Sequence, residues 1–143
     1  MTIFMPEAPT VCSKPFRVII VEDEALVAMQ MEDELLNAGA TVLGTAASVA
    51  EAIGMMDAAM TNGGLDACVL DMNLDGESAI PVADALAQRD VPFLFITGYE
   101  ETTRQADHIG RPTLYKPFNP HDLITAMNRA VARKVMRCGS SDY

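Results

Sequence analysis

The stretch RVIIVEDE, residues 17–24, joins a short apolar run to three consecutive acids. Four further apolar runs follow at nearly regular intervals: TVLGTA at 41–46, ACVL at 67–70, PFLFI at 92–96 and TLY at 113–115. Apolarity that is continuous rather than alternating marks strands covered on both faces, the pattern of parallel strands lying between two helical layers. Each interval leaves room for one helix and two short loops. The units share no residue-level similarity, so the period reflects architecture and not an internal repeat.

The intervening segments carry helix signals. Val27, Met31, Leu35 and Ala38 form one stripe, bordered by Gln30 and Glu34, and Gly39 is placed to end that helix in a left-handed cap. Ser48 with Glu51 three residues later reads as a capping box opening the second helix, and Asn62, Gly63 and Gly64 stop it. The third is expected over 78–88 and a short fourth over 100–106. The fifth opens with Asn119 as cap, Pro120 in its first position and Asp122 in its first turn. Five strands alternating with five helices predict an α/β fold, an open doubly wound parallel sheet with helices on both faces. The expected boundaries are a flexible tail over 1–15, one folded domain over 16–137 and a second tail over 138–143.

Composition agrees with one compact domain. The chain has 143 residues, half of them apolar and 21% charged. A domain of this size removes roughly 70% of its unfolded-state surface from water, so its core needs no metal or disulfide to hold it. Twenty acids against ten bases give a net charge of −10, a field that repels phosphate backbones and anionic membranes, so neither nucleic acid nor membrane is an expected partner. The acid surplus lies upstream: residues 1–110 hold eighteen acids and four bases, residues 111–143 two acids and six bases. No apolar run approaches the length of about eighteen residues that a spanning helix needs, and the first ten residues lack a signal-peptide pattern. Cys12, Cys68 and Cys138 are odd in number and far apart, and read as free thiols. The expected location is cytoplasmic.

In such sheets ligands bind beyond the carboxyl ends of the strands. There the sequence places Glu22, Asp23 and Glu24 after the first strand, Asp71 at the end of the third, Thr97 and Gly98 at the end of the fourth, and Lys116 and Pro117 at the end of the fifth. Taken singly, each has an ordinary structural explanation: helix-dipole acids, a loop cap, a turn hydroxyl, a solvated ammonium. Together they bring two acids of the first loop and Asp71, three carboxylates, with a hydroxyl and an ammonium onto one rim. Two acids of the first loop facing Asp71 in a partly desolvated cleft must protonate, separate or recruit a cation. Magnesium suits hard oxygen ligands, and the remaining groups suit phosphoryl transfer: a carboxylate nucleophile, a neutralising lysine and an orienting hydroxyl.

VEDE at 21–24, VLDMN at 69–73, FITGY at 95–99 and YKPF at 115–118 resemble, in order and spacing, the receiver domain of two-component response regulators. The resemblance covers residues 16–134, and FITGY with DMNLDGES resembles the stand-alone receivers with a Phe-x-Thr-Gly-Tyr signature. It implies a flavodoxin-like fold with strand order 2-1-3-4-5. It implies Asp71 as acceptor of a phosphoryl group from a sensor histidine kinase or phosphotransfer protein. Magnesium would be held by Asp23 directly, by Glu22 mostly through water, by Asp71 and by the backbone carbonyl of Asn73. Thr97 and Lys116 would contact phosphoryl oxygens, and the Lys116-Pro117 bond would be cis. Output would pass through the face made by the fourth helix, fifth strand and fifth helix, or through phosphoryl flow, since nine residues after position 134 are too few for an output module. The chain departs from the family at Thr113, where an aromatic switch residue usually stands, and Tyr99 and Tyr115 are the candidates for that role. It also departs after Asp71, where Asp75 replaces the usual proline and Gly76 comes early.

Competing readings are weaker. DMNLDG matches the first half of a calcium-binding EF-hand loop, but its twelfth position is Val82 and strands flank it. An aspartyl phosphohydrolase would want an acid where Asn73 stands. A pseudo-receiver acting as a constitutive binding module remains the alternative from another class, and the complete acid, threonine and lysine set speaks against it. Arg129, Arg133, Lys134 and Arg137 complement the dipole of the last helix. His108 and His121 are expected to face solvent, and most of the ten methionines to fill the core. Leu26, Met29 and Leu36 leave an apolar strip on the first helix.

Overall fold

The computed structural model describes residues 16–98 and 111–141, with side chains as far as residue 133. The elements run β1 (Phe16–Val21), α1 (Ala25–Asn37), β2 (Ala40–Ala46), α2 (Val49–Thr61), β3 (Ala67–Asp71), β4 (Asn73–Leu74), β5 (Glu77–Ser78), α3 (Ile80–Gln88), β6 (Phe93–Thr97), β7 (Thr113–Tyr115) and α4 (Pro120–Ser141). Five strands form one sheet in the order β2-β1-β3-β6-β7, every pairing parallel. Counting only its own strands, this is the expected order 2-1-3-4-5.

Continuous apolarity arises because both faces are covered. Ile19, Val21, Cys68, Leu70, Phe93 and Phe95 pack one way, against Ala52 and Met56 of α2 and Val82, Ala83 and Leu86 of α3. Val18, Ile20, Val69, Leu94 and Ile96 pack the other way, against Met31 and Leu35 of α1 and Leu123, Ile124 and Met127 of α4. Alternate residues of one strand therefore enter different cores, which is the period of two expressed in a fully apolar run. Cys68 is a buried free thiol in this layer. Among the described residues no helix is long and apolar enough to cross a membrane.

Local signals act largely where the sequence places them. The Ser48 hydroxyl accepts from the Glu51 amide at 3.2 Å, and the Glu51 carboxylate returns to the Ala47 amide at 2.7 Å, one residue before the cap. Gly39 takes φ 98° after α1, and the Asn119 side chain accepts from the His121 amide at 3.0 Å at the start of α4. On α1, Ala28 is buried and Val27 only half so, a small rotation of the expected stripe.

Several boundaries are corrected. The third helix begins at Ile80 and not at residue 78, because Glu77 and Ser78 pair antiparallel with Leu74 and Asn73 in a hairpin that the sequence reading lacked. Asp75 (φ 54°) and Gly76 (φ 89°) supply the two left-handed residues of its turn. The strand before DMNLDG and the hairpin within it leave no helix-loop-helix. The last helix continues to Ser141, through four residues expected to be tail. Four helices lie among the described residues, and the one expected over 100–106 lies outside them, as do residues 1–15, Tyr99 and His108. His121 is exposed, as expected. Arg133 is half-buried with Arg111 in a small cavity beside Val91 and Pro92, so the basic face of α4 is not wholly solvated.

Candidate functional site

Parallel register assembles the site. Val21 pairs with Leu70, Asp71 with Ile96 and Thr97 with Tyr115, so Glu22, Asp71, Thr97 and Lys116 follow one another along the carboxyl rim. Backbone bonds extend the ladders: the Glu22 amide donates to Ala46 O at 2.9 Å and the Lys116 amide to Thr97 O at 2.8 Å. Lys116-Pro117 is a cis peptide bond.

Within this rim Asp23, Glu24, Asp71, Asn73, Asp75, Gly76, Gly98 and Lys116 line an open cleft of about 370 Å³. Lys116 Nζ donates to Asp71 Oδ2 at 2.9 Å, Glu24 Oε1 at 3.0 Å and Glu22 Oε2 at 3.3 Å. Asp71 and Glu22 are buried. The Asn73 amide donates to Asp71 Oδ1 at 3.0 Å, so the backbone of Asn73 lies at the acceptor carboxylate, while its side-chain oxygen accepts from Gly76 at 2.7 Å and braces the hairpin turn.

Burial pushes the Glu22 carboxyl up to about 8, with the adjoining Asp71 adding to the rise; the Glu24 amide and Lys116 oppose it. Burial also works against the Lys116 ammonium. Its hydrogen bonds to Asp71 and Glu24 and the charges of Asp71 and Glu22 outweigh that cost, and hold it above the usual lysine value.

The donor set fits a hard divalent cation. Glu22, Asp23 and Asp71 each offer a carboxylate oxygen within 4.8 Å of the others. Among the described residues Glu22 Oε1 is buried without a hydrogen-bond partner, although it lies 3.2 Å from the ammonium. A buried acceptor left in this way, beside two more carboxylates, is chemically suited to a cation that keeps some of its water.

Other expected residues stand less centrally. Thr97 is fully buried, its hydroxyl 3.4 Å from Gly98 O, and is not among the residues that line the cleft. Tyr115 is 54% exposed and does not line the cleft. Thr113 is half-buried. Three lining residues, Glu24, Asp75 and Gly76, had no site role in the sequence reading. Glu24 was visible as the third acid of the EDE run, and Asp75 as the first half of an Asp-Gly turn.

Comparison with known proteins bears on the family to which this fold belongs. Two solution structures of SdrG, one from Sphingomonas melonis Fr1 and one of the BeF3-activated conformation from Pseudomonas melonis Fr1, are each 40% identical. The first covers 85% of this chain and 97% of SdrG with a TM-score of 0.66, the second 82% and 99% with 0.64. The transcriptional regulatory protein PdtaR of Mycobacterium tuberculosis is 29% identical over 123 residues, 83% of this chain and 58% of PdtaR. The phyllosphere-induced regulator PhyR of Methylorubrum extorquens is 32% identical over 120 residues, 80% of this chain and 43% of PhyR. The chain thus spans about half the length of these two curated relatives. The model of the response regulator receiver domain matches residues 18–128, and the chain belongs to that family.

Proposed function

We propose that this receiver domain is a phosphorylation-driven switch or phosphoryl carrier in a two-component relay, with Asp71 as the acceptor. One observation carries the reading: the buried Asp71 carboxylate lines an open cleft, has the Lys116 ammonium at 2.9 Å and lies with Glu22 and Asp23 in one group of acids able to share a cation. The BeF3-activated form of the 40%-identical SdrG supports it by likeness.

In the transfer, an Asp71 oxygen forms a bond to phosphorus as the bond from phosphorus to the donor's histidine nitrogen breaks, and the released imidazole takes up a proton. Glu22, Asp23, Asp71 and the Asn73 carbonyl would hold magnesium, which when bound neutralises charge on the phosphoryl oxygens. Lys116 is already at the acceptor and supplies the second positive charge. The Asn73 amide holds Oδ1, which leaves Oδ2 as the oxygen facing the ammonium. Thr97 ends the strand next to Asp71, beside the cleft-lining Gly98, and its hydroxyl would turn to a phosphoryl oxygen. The partner upstream is a sensor histidine kinase or phosphotransfer protein, and the output is protein contact or phosphoryl flow. Beyond its transient self-catalysed phosphorylation, the domain signals rather than turning over a substrate.

Mass spectrometry with acetyl phosphate and magnesium tests this. The expected result is one phosphoryl added, labile to hydroxylamine and absent from Asp71→Asn. No addition from acetyl phosphate or from any partnered kinase would leave the constitutive binding module as the better reading.

A further inference from the structure

The Lys116 ammonium has three N–H donors and three carboxylate partners, so it is saturated before any phosphoryl group arrives. The partners differ in what they can do. The side chains of Asp71 and Glu22 are 4% and 0% exposed, whereas that of Glu24 is 60% exposed. Glu24 is also the N-cap residue of α1, where a carboxylate ordinarily turns toward the free amides of the first turn. It makes no such bond. Its side chain instead reaches Lys116, 92 positions away, while its own amide donates to Glu22 Oε2 at 3.1 Å.

We propose that Glu24 is a positioning residue for Lys116: it holds the ammonium at the cleft mouth in the unphosphorylated protein and competes for it with the incoming phosphoryl oxygens. This rests on the phosphoacceptor reading of Asp71. With only three donors, each new bond from Nζ to a phosphoryl oxygen displaces an existing partner. Releasing Asp71 strands a buried carboxylate, and releasing Glu22 takes a donor from a buried carboxyl group whose other oxygen already lacks a hydrogen-bond partner among the described residues. Releasing Glu24 returns an exposed carboxylate to water at little cost, so Glu24 is the partner that yields. Its hold on Lys116 sets how readily the loaded state forms.

The test titrates beryllofluoride, with saturating magnesium, against the full chain and follows amide resonances of the cleft. It compares wild type with Glu24→Gln, Glu24→Asp, Lys116→Met and the Glu24→Gln/Lys116→Met double variant. Glu24→Gln is expected to tighten binding roughly two- to fivefold, the range of an exposed ion pair. Glu24→Asp, charged but one methylene shorter, falls between. In the Lys116→Met background the Glu24→Gln effect disappears, because Glu24 acts through the ammonium.

Unchanged or weaker binding by Glu24→Gln overturns the proposal, and so does an effect that survives in Lys116→Met, which would mean direct repulsion. Should Lys116→Met bind too weakly to measure, water exchange of the Lys116 N–H protons decides. It must be faster in Glu24→Gln than in wild type, and an equal rate overturns the proposal. Failure of wild type to bind beryllofluoride and to take a phosphoryl group overturns the phosphoacceptor reading instead.

Discussion

At the scale of single residues the acids of the first loop are not equivalent. Glu22 is buried and held protonated up to about 8, against 4.5 for a free side chain. Between those values the folded chain keeps a proton that the unfolded chain has lost, so rising pH favours unfolding, by at most about 1.4 kcal/mol per unit. With a chelator present, the melting temperature should therefore fall as pH rises from 6 toward 8.5, and Glu22→Gln should flatten the fall. An equally steep fall in Glu22→Gln would place the effect elsewhere. Because a cation displaces that proton, magnesium affinity measured by calorimetry should rise over the same window. Glu22, Asp23, Asp71 and Lys116 were legible from the sequence, since strand ends can be read from where an apolar run meets a charge. The role of Glu24 was not, because it depends on which way a side chain turns at a helix cap.

At the scale of elements, capping and turn chemistry can be tested apart from the site. Ser48→Ala removes the hydroxyl that accepts from Glu51 and should cost about 1 kcal/mol in denaturant unfolding, leaving beryllofluoride affinity unchanged. Gly76 has φ 89° with nothing within 4 Å of an added Cβ, so the penalty of Gly76→Ala is conformational alone, roughly 1 kcal/mol or more. Its hairpin borders the cleft and is tied to α2 by Glu77, whose carboxylate accepts from the Val49 amide at 3.3 Å. Gly76→Ala should thus also disturb amide resonances of Asp71 and Asn73, whereas Ser48→Ala should not. The capping box and the Asn119 cap could be read because their signals are local. The hairpin was missed because two-residue strands are too short for a period to show, although Asp-Gly at 75–76 was the clue.

At the scale of the whole molecule, the sheet between two helical layers makes each central strand answer to two cores. Phe93 is fully buried, meets Phe95 edge-on at 5.4 Å and lies under the Arg111 guanidinium at 4.2 Å. Phe93→Ala should cost roughly 3 to 5 kcal/mol by thermal unfolding. A loss below about 1 kcal/mol would mean that this face is not packed as described. Apolar periodicity and the residues at run ends determined, from the sequence alone, the fold class, the places of the strands and which charged groups share one rim. These follow from burial and chain connectivity, both written locally. Only the tertiary structure decided that one ammonium is shared among Asp71, Glu24 and Glu22, and that neither Thr97 nor Tyr115 lines the cleft. Each of these is a distance between groups far apart in the chain, set by register and side-chain direction, and neither quantity is encoded in any short stretch of residues.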